Sequence, residues 1–154
     1  MVGIKWCMEQ NKGIKVVEPN DNLAQEYLWT AEETLLVLKG IETKSRVWLA
    51  TTKYYCEYFS VYALLMKLGI KCEIHECTIE LCAFLESQSI LPKGYANKLR
   101  IDKDIRIENQ YYLKNKDVEV DYDSLAEFVL KIKDIILKLD DEKINRIRDM
   151  VKKI

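Results

Sequence analysis

The stretch from Arg46 to Leu68, "RVWLATTKYYCEYFSVYALLMKL", decides the fold. Apolar or aromatic side chains occupy nearly its whole circumference when it is wound as a helix, notably Trp48, Tyr54, Tyr55, Tyr58, Phe59, Tyr62, Leu65 and Met66. A helix that is apolar all round must be covered on several sides, so this one is expected at the centre of the fold. It should start near Ser45 and stop at Gly69, which can serve as a left-handed C-terminal residue, over about 34 Å at ~1.5 Å per residue. Part of its cover is open to a second subunit.

Working outward, "PNDNLAQEYLWTAEETLLVLKG" reads as a preceding helix, with Asn22 and Gln25 at capping-box spacing and Gly40 just past the end. Its apolar positions Leu23, Tyr27, Leu28, Ala31, Leu35 and Leu38 recur at three and four and make one buried face. After Gly69, "IKCEI" is a short connection, and "HECTIELCAFLESQ" resumes helical spacing from His75 until "LPKG" breaks the chain. "YANKLRIDKDIRIENQYYL" reads as a shorter helical region, followed by the polar loop "KNKDVEV" and a cap at Asp121 or Asp123. Two apolar stripes close the chain, one from Leu125 to Leu139 and one from Ile144 to Ile154 after "DDEK". The expected class is all-α: an up-and-down bundle of four to six helices over residues 20–154, with a short irregular N-terminal arm over residues 1–19. Within the arm, "GIKVVEP" reads as an extended segment ended by Pro19.

Size and composition agree with a single domain. The chain has 154 residues, 49% hydrophobic and 32% charged, enough apolar material for one core. Two prolines and five glycines are too few for long linkers, which favours helices. No apolar run suggests a membrane span, and the start lacks a signal-peptide core, so a cytoplasmic protein with no membrane partner is expected. An odd cysteine count in such a compartment leads to the expectation of free thiols. A formal net charge of -1 removes bulk electrostatics as an argument for nucleic-acid binding, though a local patch stays open.

The segment "GIKCEIHECTIELC", Gly69 to Cys82, holds the only histidine and three of the five cysteines. A metal site is disfavoured. On a helix starting near His75, Cys77 and Cys82 lie five apart and are rotated by about 140° at ~100° per residue, so they do not converge on one ion. A thiol nucleophile at Cys72 or Cys77 lacks an orienting third group, and Cys7, Cys56 and Cys82 read as small buried apolar residues. No metal and no cofactor are expected. His75 stands beside the exposed N–H groups of a helix start, which favour its neutral form. As a neutral imidazole it can act as a base, cap the helix or hydrogen-bond a neighbouring tyrosine.

Charge is concentrated in Lys93 to Lys116, where seven basic residues face three acidic ones and Tyr95, Tyr111 and Tyr112 are interleaved. Such a segment can hold phosphates and stack a base, or be a solvated face with its tyrosines packed inward. Neither a phosphate-binding G-x-x-x-x-G-K-[ST] loop nor G-x-G-x-x-G occurs.

The order of "EYLWTAEETL", "YYCEYFSVYALLMKLGIKCEIH" and "RIENQYY" resembles the HEPN family, the higher-eukaryote and prokaryote nucleotide-binding domain, in particular its archaeal members. The likeness covers roughly Asn20 to Leu139 and is strongest from Tyr54 to Thr78, at Tyr54, Tyr55, Gly69, Ile70 and His75. It implies a helical bundle, a homodimer and an association with RNA or nucleotides. Many members are toxins of toxin–antitoxin systems or stand beside a small nucleotidyltransferase partner. Active members are metal-independent endoribonucleases in which an arginine is followed, four to six residues on, by a histidine. The histidine moves a proton, and the arginine stabilises the developing phosphate charge. Arg106 matches the family arginine best, but Tyr111, Tyr112 and Leu113 occupy the positions where histidine would follow. A tyrosine, with a reference pKa near ~10, is a poor base at neutral pH. The basic, tyrosine-interleaved segment and the resemblance together lead to Arg100, Arg106, Tyr111 and Tyr112 as expected RNA- or nucleotide-binding residues, and to Arg106 with His75 as catalytic candidates if the histidine substitutes in space. A non-catalytic dimerisation or interaction module is the alternative.

Overall fold

The computed structural model describes residues 2–154. Among them seven helices follow in order: α1 (Ile4–Glu9), α2 (Asp21–Ile41), α3 (Arg46–Leu68), α4 (His75–Ser87), α5 (Tyr95–Gln110), α6 (Tyr122–Lys138) and α7 (Asp141–Lys152). Two short strands, β1 (Lys15–Val16) and β2 (Ile70–Lys71), complete the list. The chain is a helical bundle, as its periodicity predicts.

α3 is the axis of that bundle because α2, α5, α6 and α7 all pack against it. Tyr54, Cys56, Val61, Ala63, Leu64, Leu65 and Leu68 have no accessible surface at all. Most of the cover that an all-round apolar helix requires is thus supplied within the chain. What stays open is a strip near its start, where Trp48 is 61% exposed.

Local chemistry sets most boundaries. Ser45 starts α3 by accepting a hydrogen bond from the Trp48 N–H, and Gly69 stops it in the left-handed region at φ 69°. Asp121 and Asp140 cap α6 and α7 in the same way as Ser45. The α2 cap is Asn20, which accepts from the Leu23 N–H at 2.9 Å, two residues before the Asn22 of the expected capping box. Gly40 keeps a negative φ and stays inside the helix, which runs on to Ile41. No helix among the described residues is long and apolar enough to cross a membrane.

The N-terminal arm has structure of its own. β1 pairs antiparallel with β2, Lys15 opposite Lys71 and Val16 opposite Ile70, and Ile14 reaches the core with 1% exposure. Arg148 of α7 donates to the carbonyls of Leu68, Gly69 and Val17, tying the carbonyl end of α3 to the arm. The expectation of five free thiols is corrected here. Cys7 of α1 and Cys77 of α4 form a disulfide across 70 residues, while Cys56, Cys72 and Cys82 are free and buried. The β1–β2 pairing and the packing of α1 on α4 bring the two sulfurs together, a juxtaposition that no local spacing encodes.

Candidate functional site

Three helices meet around a group of tyrosines. α3 contributes Tyr54, Tyr55 and Tyr58 near its middle, α4 contributes His75 as its first residue, and α5 contributes Arg106 in its C-terminal half. Tyr54 and Tyr58 are four apart and share one face of α3, so both can meet what comes from α4 and α5.

Arg106 is 8% exposed and lies between aromatic faces. Its guanidinium carbon is 4.9 Å from the Tyr54 ring centroid and 5.3 Å from that of Tyr55. Nη1 donates to Tyr55 Oη at 3.1 Å, and Nε is sealed without a partner. Nη2 is left neither bonded nor sealed. Among the described residues no carboxylate lies within ion-pair distance of this guanidinium. Cation–π contact with two rings offsets part of the desolvation but supplies no counter-charge.

His75 meets the same phenol. Its Nδ1 is 2.8 Å from Tyr54 Oη, and its ring stacks on Tyr58 with centroids 4.4 Å apart and planes 13° from parallel. Burial, followed by the charges of Arg106 and Lys103, holds its pKa below the ordinary histidine value, so the imidazole is neutral at pH 7. Burial pushes the Tyr54 and Tyr58 phenols upward, so both keep their protons. A protonated Tyr54 donates to Nδ1, and the ring proton then sits on Nε2. For Nε2 to accept a proton, Nδ1–H must instead donate to Tyr54 Oη. The same contact serves either role, and only the tautomer changes.

Of the residues expected at a site, the structure gathers Arg106 and His75 around Tyr54 and leaves the others elsewhere. Arg100 is held by acids of α4, 2.9 Å from Glu80 and 4.0 Å from Glu76, and Lys103 pairs with Glu76 beside it. Tyr111 and Tyr112 follow the end of α5 at 66% and 68% exposure, with only Lys114 over the Tyr112 ring. Tyr95 is stacked on Phe128 of α6, packed inward. Much of the basic excess of this segment is paired off, since Lys114 and Lys116 both lie on Glu108.

A second polar group lies between α3 and α5. Lys53 Nζ is 2.9 Å from Asp102 Oδ1, and Glu57, four residues after Lys53, is fully buried. Neither Glu57 oxygen nor Asp102 Oδ2 finds a partner while both carboxyls are ionised. Burial, then the hydrogen bond to Asp102, raises the Glu57 pKa well above the ordinary carboxyl range. Glu57 therefore keeps its proton and donates it to Asp102. Sequence reasoning passed over this pair and the tyrosine walls. The available signal was polar residues on inward stripes, Lys53 and Glu57 on α3, Asp102 and Arg106 on α5.

No cluster of three or more His, Cys, Asp or Glu suited to a metal occurs among the described residues, and the Cys77 sulfur is bonded to Cys7. No protein-family model matches the chain, and no curated protein matches its sequence.

Proposed function

We propose that this chain is a HEPN-like helical domain that binds RNA or a nucleotide by holding a phosphate against Arg106. One observation carries the reading: a nine-tenths buried guanidinium, fixed between Tyr54 and Tyr55, with no carboxylate partner among the described residues. A buried cation without a counter-ion is unfavourable, and a phosphate oxygen at the unbonded Nη2 would relieve it. Neutral His75 offers a second donor through Nε2–H. The homodimer and the nucleotidyltransferase-type partner implied by the resemblance belong to the same reading.

The test is binding of a single-stranded RNA, followed by fluorescence anisotropy at several salt concentrations. Charge-assisted hydrogen bonds are worth about 1.5–3 kcal/mol, so Arg106→Ala is expected to weaken binding roughly 10- to 150-fold and to flatten the salt dependence. Equal affinity and equal salt slope in the variant would sink the reading.

The placement of His75 and Arg106 on one phenol favours a second reading, a metal-independent endoribonuclease of the toxin kind. In it His75 transfers the proton and Arg106 stabilises the phosphate. RNA cleavage that persists in EDTA and disappears in both His75→Ala and Arg106→Ala supports this reading. Cleavage unchanged in either variant removes it.

A further inference from the structure

The surface between α2 and α3 opens into a groove of about 400 Å³. Val37, Trp48, Tyr55 and Phe59 line it together with Glu33 and Thr51. Trp48 and Val37 are 61% and 56% exposed. An indole and two further aromatic rings lining a groove on a charged helical surface are an anomaly, because large apolar side chains gain by being covered. Tyr55 belongs to both features, since its ring lines the groove and its hydroxyl accepts from Arg106. Tyr55 thus links the apolar recess to a cation that has no carboxylate partner among the described residues.

Resting on the phosphate reading above, we infer that this groove is the base subsite of the same site, taking an unpaired nucleobase whose phosphate lies against Arg106. The walls offer π-faces to a ring, which is how bases are held without regard to sequence. Thr51 spends its hydroxyl proton on the Val47 carbonyl, so its oxygen is left as an acceptor for the edge of a base. The Glu33 carboxylate also accepts N–H groups and disfavours a phosphate in the groove itself, which directs the anion to Arg106. The ligand chemistry is a nucleoside phosphate, either free or within a single strand.

Trp48 reports directly. In a chain carrying Trp6→Phe and Trp29→Phe, Trp48 is the only tryptophan. Adenosine 5′-monophosphate, ribose 5-phosphate, a single-stranded RNA and the same RNA as a duplex are titrated against its emission. The nucleotide and the single strand are expected to quench it, and ribose 5-phosphate to bind without quenching. In the otherwise native chain, with binding read by calorimetry, Trp48→Ala should weaken the base-bearing ligands at least about fivefold and leave ribose 5-phosphate unaffected, with Trp48→Phe intermediate. Whichever of the free nucleotide and the single strand binds tighter identifies the source. Equal binding of nucleotide and ribose 5-phosphate, unchanged by Trp48→Ala, overturns the base subsite but leaves the Arg106 reading standing. Failure of every phosphate to bind overturns both. Emission that shifts with protein concentration alone, in step with the sedimenting mass, assigns the groove to a second copy of the chain and overturns the proposal. Quenching by duplex equal to that by single strand also overturns it, since paired bases cannot enter.

Discussion

Glu57→Gln tests the proton held between α3 and α5. The carboxyl is fully buried and donates to Asp102, whose other oxygen is 2.9 Å from Lys53 Nζ. Burial, the hydrogen bond and the Asp102 charge raise its pKa, while Lys98 and Lys53 pull it down, and the balance lies well above the ordinary value. The native chain therefore holds a proton that the unfolded chain releases above a pH of about 4.3. The sign follows from linkage: the native state binds more protons, so this contribution is fully present below the unfolded pKa and is lost as pH rises toward the native one. The loss runs at about 1.4 kcal/mol per pH unit for as long as the pH lies between the unfolded and the native pKa. Glutamine keeps a donor for Asp102 and does not titrate, so the variant should lack this slope. Thermal melts followed by circular dichroism at pH 5, 6 and 7 measure the difference between the two chains, in which the titration of His75 and of the surface carboxylates cancels. With roughly 2–4 °C per kcal/mol for a chain of this size, the gap between variant and parent should move in the variant's favour by about 3–6 °C per pH unit between the two pKa values. A gap that is constant with pH would show that Glu57 is ionised in the native state, and the shared proton would have to be given up.

Three further outcomes follow from the same geometry. As the only histidine, His75 should titrate below 6.5 by NMR, and Arg106→Ala should move its midpoint upward, because a nearby positive charge is removed. Since its folded pKa is depressed, the stability it contributes is present above the unfolded pKa and lost as pH falls through the folded one, and a midpoint at or above 6.5 refutes its burial beside Arg106. Cys7→Ser, or full reduction of the parent, should cost about 4 kcal/mol by closure of a loop spanning 70 residues, whereas Cys72→Ser, away from the bond, should leave the sensitivity to reductant intact in urea titrations. Gly69→Ala should destabilise the chain by more than the ~1 kcal/mol of a left-handed alanine, seen as a lowered urea midpoint, because the added methyl meets the Val17 carbonyl and the Arg148 side chain.

What was legible in the chain is what short-range chemistry decides. Ser45, Gly69, Asp121 and Asp140 mark helix ends through bonds to residues within one turn, and a reading along the sequence finds them. The Cys7–Cys77 bond was not legible, because it depends on a strand pairing between two-residue strands separated by two helices. The site was half legible. A bond from His75 to a neighbouring tyrosine was one of the roles open to it, and Arg106 stood out by resemblance. That Tyr54 receives both, while Tyr111 and Tyr112 face outward, depends on how α5 is rotated against α3.

The shared proton and the unpaired arginine bear on one another. Asp102 and Arg106 lie one turn apart on α5, and the Asp102 charge is already balanced by Lys53. An ionised Glu57 would add a second buried negative charge to the same helix pair and cancel part of the field of Arg106. Kept protonated by its burial and then by Asp102, it adds none. The guanidinium that lies between Tyr54 and Tyr55 is thus left as a positive excess, with no buried negative charge free to offset it. At low dielectric that excess acts over several ångströms with little screening, and a phosphate at Nη2 is the charge that would balance it. On this argument Glu57→Asp, whose shorter side chain cannot reach Asp102 as well and has a lower intrinsic pKa, should bind the single-stranded RNA more weakly than the parent at pH 8, with the two converging at pH 5. Glu57→Gln should keep the parent's low-pH affinity at both. Equal affinity of all three chains at pH 8 would mean that the proton on Glu57 has no part in how Arg106 meets an anion.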